Sequence, residues 1–297
     1  MSLIRSRRFW DEAFALRGSI SLRVLPRVFV FGGLAGSICL ANRLVQPELG
    51  IEVGPHEVAG GVLGLLLVFR TNSGYDRWWE ARKLWGGIVN QCRNLAAAAL
   101  AYGPADPAWR ERFIRRAAAF PHVARASLRG ERELPEVADL LGPEETARIA
   151  AAGHMPGRVA LDLADLLREA LDRGMDPRAF QQADRERALL IEHIGGCERI
   201  QKTPLPAVYA IIIRRFITLY LSTLPFALML KITWWQTVLV TTFVAYPILS
   251  LDQVGVELQD PFSARRLSHL PLAKICETIE ANLLESLGTR PPVPEEV

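Results

Sequence analysis

Cysteine is scarce in this chain, with four residues in 297, and none stands in a paired spacing: Cys39, Cys92, Cys197 and Cys276 are far apart. That excludes a cysteine-pair metal motif, and it fits a reducing compartment better than a disulfide framework. Histidine is equally scattered, at His56, His122, His154, His193 and His269. His193 and Cys197 are four apart and share a helix face, half of a metal site. No second pair accompanies them, so they read as an ordinary helix surface, and neither a metal nor a cofactor is expected. Internal repeats, low-complexity segments and alternating β patterns are missing. So are a nucleophile elbow and a phosphate loop. Glu257 and Asp260 alone are weak grounds for acid–base work, so the expectation is not an enzyme. The net charge of +3 is too small to argue for a nucleic-acid partner. The start, MSLIRSRRFWDEAFALRGS, lacks the apolar core and small-residue cleavage site of a signal peptide.

What the chain does have is concentrated hydrophobicity. Half of its residues are hydrophobic although 23% are charged. Four apolar segments stand out: 22–44, VAGGVLGLLLVF at 58–69, 205–230 and 234–251. A membrane helix needs about 20 apolar residues. The first and fourth come near that. The third does if Arg214 and Arg215 face protein or water. The second rises only ~18 Å on its own. Trp234 and Trp235 fit an interfacial belt. Arginine and lysine cluster before the first segment, after the second and after the fourth, and are nearly absent from the other connections. The positive-inside rule then places both termini and the long middle section in the cytoplasm, with four crossings. The expected architecture is all-α: membrane helices at about 22–44, 51–100, 205–230 and 234–256, and a helical cytoplasmic part at about 101–204 and 257–288. The last residues, 289–297, are expected to be a disordered tail.

Residues 69–87, FRTNSGYDRWWEARKLWGG, combine charges with three tryptophans directly after an apolar run. That mixture fits one helix continuing from membrane to water. Its apolar part carries a helical stripe at Gly61, Leu65 and Phe69. Gly60 and Gly64 permit close approach to a neighbouring helix. So short a crossing is acceptable if the helix lines a central aqueous path; Glu52, His56 and Glu57 then stand at its outer mouth. Arg70 and Asn72 mark a water-filled cavity below the stripe. Asp76, Arg77 and Glu80 are expected to pair with neighbouring helices. Charges inside membrane segments are costly, so Arg214 and Arg215 either pair, with Asp252 and Glu257 as partners, or snorkel to the interface.

These blocks resemble a known family. The stretch from Phe69 to Ala96, ERIQKTPLPAVYA at 198–210, the region Tyr220–Pro225, and LQDPF…LPLAKICETIEANLLE at 258–285 resemble the bacterial bestrophin homologues, in the same order. The resemblance spans most of the chain and implies that 1–297 is a single bestrophin-like domain. It implies a homopentameric ion channel of the bacterial inner membrane, with four membrane helices per subunit and the second lining an axial pore. Its partners would be permeant inorganic ions, the lipid bilayer and further copies of itself. It places a hydrophobic neck on Gly61, Leu65 and Phe69, with Gly61 departing from the bulky residue expected. It places a cytoplasmic constriction at Arg178, with Phe180 as the fallback. Arg265 and Arg266 stand where animal relatives carry an acidic calcium site, so calcium gating through that element is not expected. Members of the family conduct anions or cations. A small-anion carrier using Arg214 and Arg215, or a non-conducting membrane scaffold, are the competing readings.

Overall fold

The computed structural model describes residues 9–11, 13–15, 18–44 and 50–288. The basic residues Arg5, Arg7, Arg8 and Arg17, on which the expected orientation of the first crossing rests, lie outside these, as does the expected tail at 289–297. The chain is all-helical, with no strand among the described residues. The helices are α1 (Ser21–Leu44), α2 (Val53–Tyr102), α3 (Pro107–Arg129), α4 (Pro135–Leu141), α5 (Pro143–Ala151), α6 (Met155–Asp172), α7 (Pro177–Lys202), α8 (Ala207–Leu228), α9 (Trp234–Glu257) and α10 (Leu272–Gly288). Four of them, α1, α2, α8 and α9, are long and apolar enough to cross a membrane. The described residues fall into two compact units: those within 9–78, 204–260 and 265–268 form one, and 79–203, 261–264 and 269–288 the other.

The first unit is a helix bundle built on one face of each helix. Val24 and Val28 of α1, Leu63 and Leu67 of α2, Ile213, Ile217 and Leu221 of α8, and Ala245 and Leu249 of α9 form its core. Every set repeats at four residues, the spacing that stacks side chains on one helical face. The α1–α9 pair is tight at Gly32: a Cβ there would come within 2.6 Å of the Thr242 hydroxyl oxygen. Gly60 behaves likewise against Tyr220 of α8, whereas a Cβ at Gly64 would meet nothing within 4 Å among the described residues. Several hydroxyls of the apolar helices are satisfied within their own helix. Thr71, Thr218 and Thr242 donate to the carbonyls of Leu67, Arg214 and Val238, one turn back, at 2.8–2.9 Å. That leaves these hydroxyl donors without unmet demand in an apolar setting.

The long helix α2 runs for 50 residues without an interior proline, about 75 Å at 1.5 Å per residue. A ~30 Å hydrocarbon core accounts for fewer than half of these residues. Its N-terminal half belongs to the first unit and the rest to the second.

The second unit is organised on α3. Asp106 caps it, accepting from the Ala108 N–H at 2.9 Å, with Pro107 in the first turn. Gly130 closes it in the left-handed region at φ 72°, a conformation that costs glycine nothing. From Ala117 to Ala126 every α3 residue is buried, as befits a central helix enclosed by α4, α6, α7 and α10. Helix α6 ends just before Gly174, and Asp176 caps α7 by accepting from the Arg178 and Ala179 N–H groups. All four cysteines are free and buried.

Candidate functional site: the two faces of α2 and the charges that fix it

Within the first unit α2 has two unlike faces. Leu63, Leu67, Arg70 and Gly74 turn into the bundle and are buried. Gly61, Leu65, Phe69, Asn72 and Asp76 turn away and are exposed. Leu65 and Phe69 are 55% and 52% exposed. The other membrane-length helices expose apolar side chains too, Phe29, Leu219 and Phe243 at 67%, 63% and 75%. Glu57, one turn before Gly61, and Glu52, just ahead of the helix, are exposed as well. His56 is not on that side. Its Nε2 lies 2.9 Å from the Thr223 hydroxyl oxygen and its ring packs on Tyr220, so it ties α2 to α8.

Arg70 departs from the expected cavity position. It is 1% exposed and rests against Asp252 of α9, itself buried. Its side chain lies over Gly255, where a Cβ would come within 3.2 Å of it. On the far side of the same carboxylate, Arg214 Nε is 3.4 Å from Asp252 Oδ2. Two arginines from α2 and α8 therefore share one acid of α9. Arg215 is exposed and has no ion pair among the described residues. Glu257 is engaged by other groups: Arg23 of α1 at 2.5 Å, the Gln253 amide at 2.8 Å and the Leu267 N–H at 2.9 Å. The Arg23–Glu257 pair joins the start of α1 to the end of its antiparallel neighbour. Sequence reading misses it, although both residues stand at the charged edge of an apolar segment. Arg266 lies 4.0 Å from the same carboxylate.

Further along α2, Arg77 Nε donates to the Gln259 carbonyl at 3.4 Å and Trp78 Nε1 to the Ser268 carbonyl at 2.7 Å. Glu80 pairs with Arg199 of α7 at 2.5 Å. Asp76 is exposed and has no partner among the described residues. Trp85 is fully buried. Arg178, in the first turn of α7, is exposed with its guanidinium unpaired among the described residues, and Phe180 is half-buried. No group of three or more metal-ligating side chains gathers among the described residues. The Cys197 thiol is pushed up to about 12 by burial, which keeps it protonated and unreactive.

A family profile, "Bacterial/Fungal Bestrophin protein", matches residues 1–285. The chain belongs to the bestrophin family. A voltage-dependent anion channel-forming protein of Mesorhizobium japonicum is 35% identical to this bestrophin over 294 residues, covering 98% of this chain and 94% of the relative. A protein of the same name from Nostoc is 32% identical over 300 residues, covering 98% and 95%. The crystal structure of a bacterial bestrophin homolog from Klebsiella pneumoniae matches with a TM-score of 0.82 and 30% identity, over 90% of this chain and all of that one. A tyrosine-to-alanine mutant of that homolog matches with a TM-score of 0.83 and 28% identity over the same shares.

In the second unit of this bestrophin, His122 is fully buried, with Nε2 2.8 Å from Glu280 Oε2 of α10. Arg125 holds Glu136 at 2.8 Å beside it. Burial pushes the His122 imidazole below its usual range, against the opposing pull of Glu280. For Glu136, burial acts upward, but the Arg125 hydrogen bond and the neighbouring positive charges prevail, and its pKa is lowered. Both shifts mean that the unfolded chain binds protons more readily than the folded one, so stability falls as pH falls. The histidine contribution is lost on descending from about 6.5, its ordinary value, toward its folded pKa. The Glu136 contribution is lost below about 4.5. Tryptophan fluorescence of the purified protein during thermal unfolding should give a midpoint that drops between pH 7 and pH 5. His122→Phe should flatten that drop. An unchanged slope would show that His122 does not carry it.

Proposed function

We propose that this bestrophin assembles as a homopentamer in the bacterial inner membrane and conducts small ions passively through an axial pore lined by α2. Both termini and residues 101–204 face the cytoplasm, and 1–297 act as one channel subunit. Leu65 and Phe69 form the neck, with Gly61 leaving its outermost level wide. Rings of apolar side chains close a pore by dewetting. Arg178 forms a cytoplasmic ring that attracts anions, the ion class named for the curated relatives. The observation that carries this reading is the exposed stripe at 61, 65 and 69 on a helix whose opposite face is held by the Arg70–Asp252 contact.

The test is current across planar bilayers in asymmetric potassium chloride, together with the subunit number by mass in detergent. Unitary steps from a five-subunit particle are expected. Saturable exchange without steps, or a monomer, would replace the channel with a carrier or a scaffold. Arg178→Ala is expected to move the reversal potential toward cation permeation by several-fold in permeability ratio, because a unit charge at ~4 Å in water is worth ~1 kcal/mol. An unmoved reversal potential removes Arg178 from the filter and passes the role to Phe180.

A further inference from the structure

A concave site of about 330 Å³ opens in the first unit, between α1, α8 and α9. Arg27, Arg214 and Asp252 give it a charged end, and Phe31, Ile217 and Leu249 give it an apolar wall. Arg27 is six residues into α1 and Arg214 seven into α8, so both lie about 10 Å along helices that enter from the same end of the bundle. The local charge is unbalanced. Asp252 is shared between Arg70 and Arg214. Arg27 reaches only the neutral Gln253 oxygen, at 3.4 Å, and has no ion pair among the described residues. A second groove of about 550 Å³ flanks Arg214 on its other side, where Arg215 borders a wall of Ile211, Leu219 and Thr218.

We infer that this site holds an anionic diacyl phospholipid, its phosphate on Arg27 and Arg214 and its acyl chains along the grooves on either side of Arg214. The chemistry is specific. A guanidinium pair without enough carboxylate selects a phosphate, and apolar walls beside it select a molecule with hydrocarbon attached. Arginine placed this far into a membrane helix reaches toward the headgroup layer, where anionic lipid supplies the missing charge. Lipid binding is independent of ion conduction, because it is read by mass rather than by current.

The experiment uses the full-length assembly in detergent, incubated with phosphatidylglycerol or phosphatidylcholine of identical acyl chains and examined by native mass spectrometry. Retention of phosphatidylglycerol is expected to exceed that of phosphatidylcholine by about tenfold. Arg27→Gln should lower that preference, and Arg27→Gln with Arg214→Gln should bring the two lipids to parity. Arg82→Gln, an exposed charge of the second unit, should change nothing. Glycerol phosphate should not displace the bound lipid. Equal retention of both lipids, a preference that survives the double variant, or displacement by glycerol phosphate each overturn the proposal. So does an assembly with no bound lipid, which would mean that a second copy covers the face. If the double variant does not assemble, Arg27→Gln decides alone, since among the described residues that side chain makes one long hydrogen bond, to Gln253.

Discussion

Replacing Asp252 with alanine should cost this bestrophin about 3–5 kcal/mol of stability, the range for removing one partner of a buried ion pair. The carboxylate contacts Arg70, which is 1% exposed and lies over Gly255. Without Asp252 that guanidinium is a buried charge with no counter-ion and no room to leave. Arg214 suffers less, because its side chain is 53% exposed. The check is thermal unfolding of the detergent-solubilised assembly, followed by tryptophan fluorescence. Asp252→Asn should lie between wild type and alanine. Arg70→Met combined with Asp252→Leu should recover most of the loss, since a buried pair exchanged for apolar residues of similar volume is often near neutral. A wild-type midpoint in Asp252→Ala would mean that the contact does not hold α2 against α9.

The second large effect concerns current. Leu65→Ala with Phe69→Ala should raise open-state occupancy in planar bilayers by at least tenfold, equivalent to ~1.4 kcal/mol. Truncating Leu to Ala removes carbon groups worth ~0.8 kcal/mol each when kept from water, and a homopentamer repeats that change five times around the axis. A wetter neck conducts more readily. Both residues lie on the face of α2 that the bundle leaves uncovered, so truncation leaves no cavity in the subunit core. Leu63→Ala and Leu67→Ala are the controls. They empty the buried face and should lower stability by ~2–5 kcal/mol without the gain in current. Unchanged recordings from the exposed-face variant would remove Leu65 and Phe69 from the gate.

The fold class is legible because the signals that set it are local. Apolar stretches long enough to span a bilayer, Asp106 ahead of Pro107, and Gly174 after a leucine-periodic run each act within a few residues. The charges around α2 are harder to read. After an apolar run, an arginine reads as the first water-facing residue, and Arg70 follows Phe69 directly. Its direction is set instead by the 63, 67, 70, 74 spacing of the buried face and by an acid on α9 that no local pattern connects to it. Glu257 misleads in the same way: its place at a helix end suggests Arg214 or Arg215 as partner, yet the antiparallel start of α1 brings Arg23 closer. His56 shares its turn of helix with Glu57, but one residue is ~100° of rotation, enough to take it from the open face to Thr223. Gly60 and Gly64 look equivalent as small residues, yet among the described residues only Gly60 faces a close neighbour.

The spacing of the exposed stripe has a geometric consequence. Four residues overshoot one turn of an α-helix by about 40°, so Gly61, Leu65 and Phe69 do not share a single bearing on a straight α2. They wind around it, and the first and third differ by about 80°. A pore built from such helices would have its levels offset like the treads of a spiral stair. Turning each helix on its own axis by one step of about 40° would bring a neighbouring level to the centre: the side-chain-free Gly61 in one sense, and the aromatic Phe69 in the other. The buried Arg70–Asp252 contact holds α2 at one bearing, so such a turn would have to release it.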